Sequence, residues 1–247
     1  MAKFAVVLPA AGQSTRFGAT EKKPYIQLEG RAVWQRTAEL FANRDDVVQM
    51  ILVISPEDRE LVEYRHQANL MFLGVKLVDG GSERFESVAN ALATVREDVD
   101  FVVVHDAVRP CTKPTDIDRV FATAEKYGAA LLGIPVADTL KRLDEDRKII
   151  ETVPRRGLWQ AQTPQIGRKD WLLDAYAKRS TLKAEITDDA QLLEAMGHPV
   201  IMVEGSPTNL KITTKDDMLI AQAVLAAKFG DKIVKQYHPF ADEDGNW

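Results

Sequence analysis

Short apolar runs without strict alternation, separated by segments of helical period, decide what this chain can fold into. The runs lie at 4–8, 49–54, 75–78, 101–105 and 130–135 and are rich in Val, Ile and Leu. A strand with one face in water alternates apolar and polar residues; a strand covered on both faces does not. Between the runs, 32–41, 57–70, 86–95 and 115–126 read as helices, the last opening on Thr115-x-x-Asp118, a capping-box pattern. Strands alternating with helices predict an α/β fold with a doubly wound, mostly parallel sheet. Ligands in such sheets sit beyond the carboxyl ends of the strands. The loops after the first, third, fourth and fifth strands therefore carry the candidate chemistry.

The alternation breaks after Val136. Residues 138–153 read as two short strands around the charged turn Asp144-Glu145-Asp146-Arg147-Lys148, a hairpin whose turn has nothing apolar to bury. It is expected to protrude from the sheet as an arm, spanning about 137–157 with its flanks. Order then resumes, with helices at 171–178 and 188–196 and strands at 200–204 and 210–213. A last helix starts at Thr214-x-x-Asp217 and carries the stripe Leu219, Ile220, Ala223, Val224 and Ala227. The domain is expected to occupy 1–229. The tail, 230–247, shows little periodicity and is expected to be mobile.

The chain of 247 residues is long enough for a full core. Its net charge is −5, from 32 basic and 37 acidic residues, which argues against a polymeric nucleic acid as partner. One cysteine, Cys111, excludes an internal disulfide and a cysteine metal cluster, and four histidines argue against a multi-histidine zinc site. The apolar stretch before Pro9 is too short for a signal-peptide core, and no run approaches the ~18 apolar residues of a membrane span. The expected location is the cytoplasm, without membrane attachment.

The loop after the first strand reads LPAAGQSTRFG and leads into KKPYIQL. It fits neither G-x-x-x-x-G-K-[ST] nor G-x-G-x-x-G. Ala10, Ala11 and Gly12 are small enough for a phosphate or a flat ring to approach the backbone, and Arg16 and Lys23 are cations suited to phosphate oxygens. A plain connecting loop with solvated charges is the plainer reading of these residues taken alone. The loop after the third strand, Gly80-Gly81-Ser82-Glu83-Arg84, offers an anion or base-edge site at a helix start, or simply a cap. After the fourth strand, Asp106 is placed to meet a divalent cation, or to pair with Arg109. His105 is read as structural.

Taken together, LPAAGQSTRFG, KKPYIQL, GGSERFESV, HDAVRP, PVADTLKR, RRGLWQAQTPQ, ITDDAQLLE and NLKITTKDD, in this order over residues 3 to 228, resemble the 2-C-methyl-D-erythritol 4-phosphate cytidylyltransferase family. The resemblance implies a Rossmann-like nucleotidyltransferase fold with a hairpin dimerisation arm. It implies that Ala10, Ala11, Gly12, Gly80, Gly81, Arg84 and Ser87 hold the nucleotide, with Ser87 and the backbone near Ala10 selecting a pyrimidine. Arg16 and Lys23 would act on the α-phosphate. Asp106, Arg109, Thr139, Arg155, Thr163 and Lys211 would bind the substrate, with Asp106 facing Mg²⁺, or another divalent cation, as well. Thr139 and Arg155 would reach the partner subunit's site in a homodimer. One departure is Lys22-Lys23-Pro24-Tyr25, where the family often has Pro-Lys-Gln before the aromatic residue; counting back from Tyr25 selects Lys23, with Lys22 as the alternative.

The implied reaction joins CTP to a polyol phosphate. A phosphate monoester has its second pKa near 6 and is largely dianionic at neutral pH, so no general base is needed. The obstacle is the meeting of two anions, answered by cations and by positioning. Ribitol-5-phosphate cytidylyltransferase is the nearest rival, fitted less well by the sequence of the arm. A non-catalytic nucleotide-binding regulator would be expected to lose Arg16, Lys23 or Asp106. A nicotinamide-dependent oxidoreductase is disfavoured by the missing G-x-G-x-x-G.

Overall fold

A computed structural model describes residues 1–12, 22–182 and 186–236, the last stretch as backbone alone from 228 onward. The seven strands of its main sheet are β1 (Phe4–Pro9), β4 (Val47–Ile54), β5 (Val75–Asp79), β6 (Phe101–Val104), β7 (Ala129–Pro135), β10 (Trp159–Arg168) and β11 (Ile201–Glu204). They stand in the order β11-β7-β10-β6-β1-β4-β5. Strand β10 is antiparallel to both its neighbours, and the remaining pairings are parallel. Two small hairpins complete the strands among the described residues: β2 (Gln27–Leu28) with β3 (Arg31–Ala32), and β8 (Leu140–Leu143) with β9 (Ile149–Val153).

The absence of alternation in β1 has its cause in the layers around it. Phe4, Val6 and Leu8 face one core, while Ala5 and Val7 face the other. On the first face lie α1 (Val33–Ala38), α2 (Arg59–Phe72) and α4 (Pro114–Tyr127); on the second lie α3 (Arg84–Leu92), α5 (Lys169–Lys178) and α6 (Asp189–Ala195). The stripe Ile117, Val120, Phe121 and Ala124 turns α4 onto the sheet at helical spacing. A smaller cluster of Leu28, Val33, Cys111, Ile212, Met218, Ala221 and Leu225 seats α7 (Lys215–Gln236). The doubly wound reading is thus what the chain adopts. Among the described residues no helix is long and apolar enough to cross a membrane.

Local expectations differ in three places, and one expected cap forms. Helix α4 starts one residue before Thr115, with Lys113 as N-cap and Pro114 at its first position, because proline lacks the N–H that would go unsatisfied there. The Thr214-x-x-Asp217 box does form: Asp217 Oδ2 accepts from Thr214 N at 2.7 Å, and Thr214 Oγ1 accepts from Asp217 N at 3.2 Å. Residues 210–213 are not a strand; Ile212 N donates to Val108 O at 2.9 Å and the segment runs beside that loop outside the sheet. Helix α7 continues to Gln236, past Gly230. The later tail residues, 237–247, lie outside the described residues.

Candidate active site

The loops leaving β1, β5 and β6 lie side by side because the parallel ladders continue into them. Ala10 N donates to Val53 O at 2.7 Å, Gly80 N to Ile54 O at 2.7 Å, and His105 N to Val7 O at 2.9 Å. Beyond these strand ends opens a cleft of about 330 Å³. From the first loop Ala10, Ala11, Gly12 and Lys23 line it; from the second, Gly81, Glu83, Arg84 and Ser87; from the third, Asp106 and Val108; and from the segment before α7, Lys211 and Thr213. The segment 210–213 replaces the loop after the fifth predicted strand, which contributes nothing to this wall.

Packing explains the small residues. A Cβ on Gly80 would stand 2.7 Å from both Ala11 Cβ and Ser87 Oγ, so the first and second loops touch through this glycine. A Cβ on Gly81 would strike Glu86 at 2.3 Å. Glu86 closes the turn: its Oε2 accepts from Ser82 N and Ser82 Oγ, each at 2.7 Å, and from Glu83 N at 3.2 Å. These bonds, led by the Ser82 hydroxyl, hold its carboxyl below the ordinary value. Ser87 Oγ accepts from Gly81 N and donates to Glu83 O, both at 3.1 Å, so its hydroxyl organises the loop at the cleft wall.

Lys22 and Lys23 separate cleanly. Lys22 Nζ turns away to Asp58 Oδ2 at 2.8 Å, a carboxylate that Tyr25 OH also approaches at 3.4 Å. Lys23 lines the cleft. Arg16, with residues 13–21, lies outside the described residues.

Asp106 is the electrostatic centre of the opposite wall. Its Oδ2 meets Lys211 Nζ at 3.1 Å and Arg109 Nε at 3.2 Å. Burial by itself would raise the carboxyl; Lys211, Arg109 and Arg84 outweigh it and hold the group well below the usual carboxylate range. Arg109 also donates from Nη1 to Asn209 O at 2.6 Å. The Asp106–Arg109 pair therefore exists, and Asp106 faces the cleft as well.

Beneath Asp106 the hydrogen bonds run in one direction. His105 Nε2 lies 3.2 Å from Arg109 O, which can only accept, so Nε2 carries the proton. Nδ1 then accepts from Thr163 Oγ1 at 3.0 Å, and that hydroxyl oxygen accepts from Asp106 N at 3.1 Å. Thr163 thus supports the Asp106 backbone from below rather than lining the cleft. Burial drives the His105 imidazole down to about 4, against the pull of Asp106. Its structural reading is the one that fits.

Thr139 and Arg155 are exposed near the β8–β9 hairpin and are not among the residues lining the cleft. Lys141 and Arg142 are engaged across that hairpin, with Thr152 and Glu151, both at 2.6 Å.

The family model for 2-C-methyl-D-erythritol 4-phosphate cytidylyltransferase matches residues 4–227. The chain belongs to that family. Its relatives include the cytidylyltransferase of that name from Rhodopirellula baltica, 40% identical over 91% of this chain and 95% of the relative. The one from Chromobacterium violaceum is 41% identical over 90% of this chain and 97% of the relative. Among solved structures, the Francisella tularensis enzyme of the same name superposes with a TM-score of 0.76 at 30% identity, covering 90% of this chain and all (100%) of that one.

Two site-building residues were not singled out from sequence. Asn209 is fully buried, donates to Gln162 Oε1 at 3.0 Å and Thr163 O at 2.8 Å, and accepts from Thr112 Oγ1 at 2.8 Å. It ties the Lys211 segment to β10 and to the loop after β6. Asp189 pairs with Arg84. Both fall in blocks that carry the resemblance, NLKITTKDD and ITDDAQLLE, but a polar residue in a block does not announce which neighbour it holds.

Proposed function

We propose that this cleft carries out the family's reaction, the transfer of CMP from CTP to 2-C-methyl-D-erythritol 4-phosphate, giving 4-diphosphocytidyl-2-C-methyl-D-erythritol and pyrophosphate for isoprenoid precursor synthesis. As a member of the family the chain is a cytidylyltransferase. The observation that supports this cleft as the seat of the reaction is the convergence of Lys23, Arg84 and Lys211 on a floor of Ala10, Ala11 and Gly12.

The chain's own residues bind and neutralise. The small floor and the Gly80–Ser87 turn take the nucleotide. Lys23, with Arg16 from outside the described residues, stabilises the charge that builds on the α-phosphoryl oxygens. Lys211 and Arg109, gathered by ionised Asp106, receive the acceptor's phosphate dianion. No base is required, because that dianion is already the nucleophile. Among the described residues no group of three or more His, Cys, Asp or Glu could hold a metal. A divalent cation held mainly by phosphate oxygens and one carboxylate still fits this donor set, as Mg²⁺ commonly does. Asp106 would hold it, and the ion would offset triphosphate charge.

The homodimer belongs to the same proposal. Leu143, Ile149 and Ile150 on the hairpin are 47%, 64% and 61% exposed, and Leu158 and Trp159 at its base are 39% and 40% exposed. An apolar patch on a projecting element supports burial against a second copy, with Thr139 and Arg155 delivered to the partner's cleft. Small phosphorylated molecules as ligands and a cytoplasmic location complete the reading, in keeping with the acidic net charge of −5 and the single cysteine.

The test is pyrophosphate release with 2-C-methyl-D-erythritol 4-phosphate and each of the four nucleoside triphosphates in turn. CTP alone should support rapid turnover; equal turnover with a purine triphosphate would overturn the assignment of the cleft to cytidine.

A further inference from the structure

The ITDDAQLLE segment has so far no part in the reaction, yet one of its carboxylates reaches the cleft wall from behind. Asp188 caps α6 by accepting from Gln191 N at 2.8 Å. Gln165 of β10 grips the same turn, donating to Asp188 Oδ2 and accepting from Ala190 N, both at 2.9 Å. The residue between, Asp189, is thereby fixed in place with its side chain 3% exposed. Its Oδ2 accepts from Arg84 Nη2 at 2.7 Å, and its Oδ1 accepts from Tyr176 OH at 2.5 Å.

Arg84 itself is not a core residue. It lines the cleft, and its side chain is 35% exposed. A long side chain on a cleft wall has many rotamers, and a fixed anion behind it removes most of them. It also has a rival partner, since it feels the charge of Asp106 across the cleft as well as that of Asp189. Ion pairs of this kind add little to stability in general, because desolvation offsets attraction. The position of the pair, one end buried and the other in the wall, gives it a different use.

We propose that Asp189 is a positioning residue for the nucleotide: it holds the Arg84 guanidinium against the back wall, aimed at the triphosphate and away from Asp106, and Tyr176 holds Asp189. This rests on the reading of the cleft as the CTP site. Without the Asp189 charge, Arg84 is released toward the Asp106 cluster, where Lys211 and Arg109 already gather. The cost falls on CTP and not on the acceptor.

The experiment is steady-state kinetics on Asp189→Asn, Arg84→Ala and the double variant, with both substrates varied. Asp189→Asn should raise the KM for CTP about tenfold, equivalent to about 1.4 kcal/mol, with the acceptor's KM within about twofold. Arg84→Ala should raise the CTP KM further, and adding Asp189→Asn to it should change nothing more. Tyr176→Phe keeps the charge pair and removes one anchor; it should give a smaller rise of the same kind and serves if Asp189→Asn fails to fold. A normal CTP KM in Asp189→Asn, or in Tyr176→Phe where that variant stands in, beside a raised one in Arg84→Ala overturns the inference and leaves the cleft assignment standing. A normal CTP KM in Arg84→Ala overturns the assignment itself. Equal rises for both substrates, or additive effects in the double variant, also overturn the positioning role.

Discussion

Lys22 and Lys23 are neighbours in sequence and do different work. Lys22 is tied to Asp58, while Lys23 lines the cleft. Lys23→Ala should therefore lower kcat by about 10²–10³ with little change in CTP binding, as removal of one transition-state contact does. Lys22→Ala should leave kcat nearly intact and cost stability instead, about 1 kcal/mol, by removing a partner of the buried Asp58. Turnover and urea denaturation of the two variants read this directly; a kcat loss concentrated in Lys22→Ala would reverse the assignment. His105 gives a second residue-scale expectation. It is fully buried with an imidazole lowered to about 4, while the unfolded chain titrates near 6.5. The unfolded state thus binds the proton first. Stability from this group is complete above about 6.5 and falls as pH drops toward 4, by on the order of 3 kcal/mol. Asp106, held below the usual range, acts with the same sign but only at lower pH. Thermal melts of the wild type from about pH 7.5 to about pH 4.5 should slope downward, and His105→Gln should flatten the slope. Equal slopes would assign the effect to other groups.

At the scale of elements, the buried parallel strands were legible because residues covered on both faces must be apolar. Strand β10 was not. Its sequence, WQAQTPQIGR, is polar and contains Pro164 and Gly167, features that argue against a central strand. It sits between β6 and β7 nonetheless, since Gln162, Thr163 and Gln165 are buried with their hydrogen bonds satisfied, and Pro164 falls where the register with β7 shifts. A hydrophobic pattern cannot report a strand whose interior is a hydrogen-bond network. The same reasoning separates the two halves of the site. The glycines, Lys23 and Asp106 belong to loops, and Arg84 to the first turn of α3, whose place beyond the strands follows from topology. Asn209 matters through Thr163, 46 residues away, and Asp189 through Arg84, 105 residues away, which spacing does not encode. An element-scale prediction concerns the junction of α4 and α5. Gly128 ends α4 in the left-handed region, at φ +93°, and a Cβ there would lie 2.3 Å from the Trp171 ring. Gly128→Ala should cost about 2–3 kcal/mol, through backbone strain and overpacking together. Chemical denaturation should record that loss, with the CTP KM of the folded enzyme unchanged.

For the whole molecule, the dimer proposal predicts a specific complementation. Lys23→Ala and Arg155→Ala homodimers should each be nearly inactive. In a mixed dimer one cleft carries both defects, and the other has an intact Lys23 and an intact partner arm. Random reassortment of equal amounts makes about half the dimers mixed, so about a quarter of wild-type activity should return. Activity that stays at parental levels after demonstrated subunit exchange would place Arg155 in its own chain's cleft. The central claim, that this cleft joins CTP to 2-C-methyl-D-erythritol 4-phosphate, is reached most directly by competition. Equal concentrations of that substrate and ribitol 5-phosphate are given limiting CTP, and the products are resolved by phosphorus NMR, so their ratio reports the ratio of kcat/KM values. The account predicts 4-diphosphocytidyl-2-C-methyl-D-erythritol as the overwhelming product; a mixture dominated by the cytidylylated ribitol would contradict it.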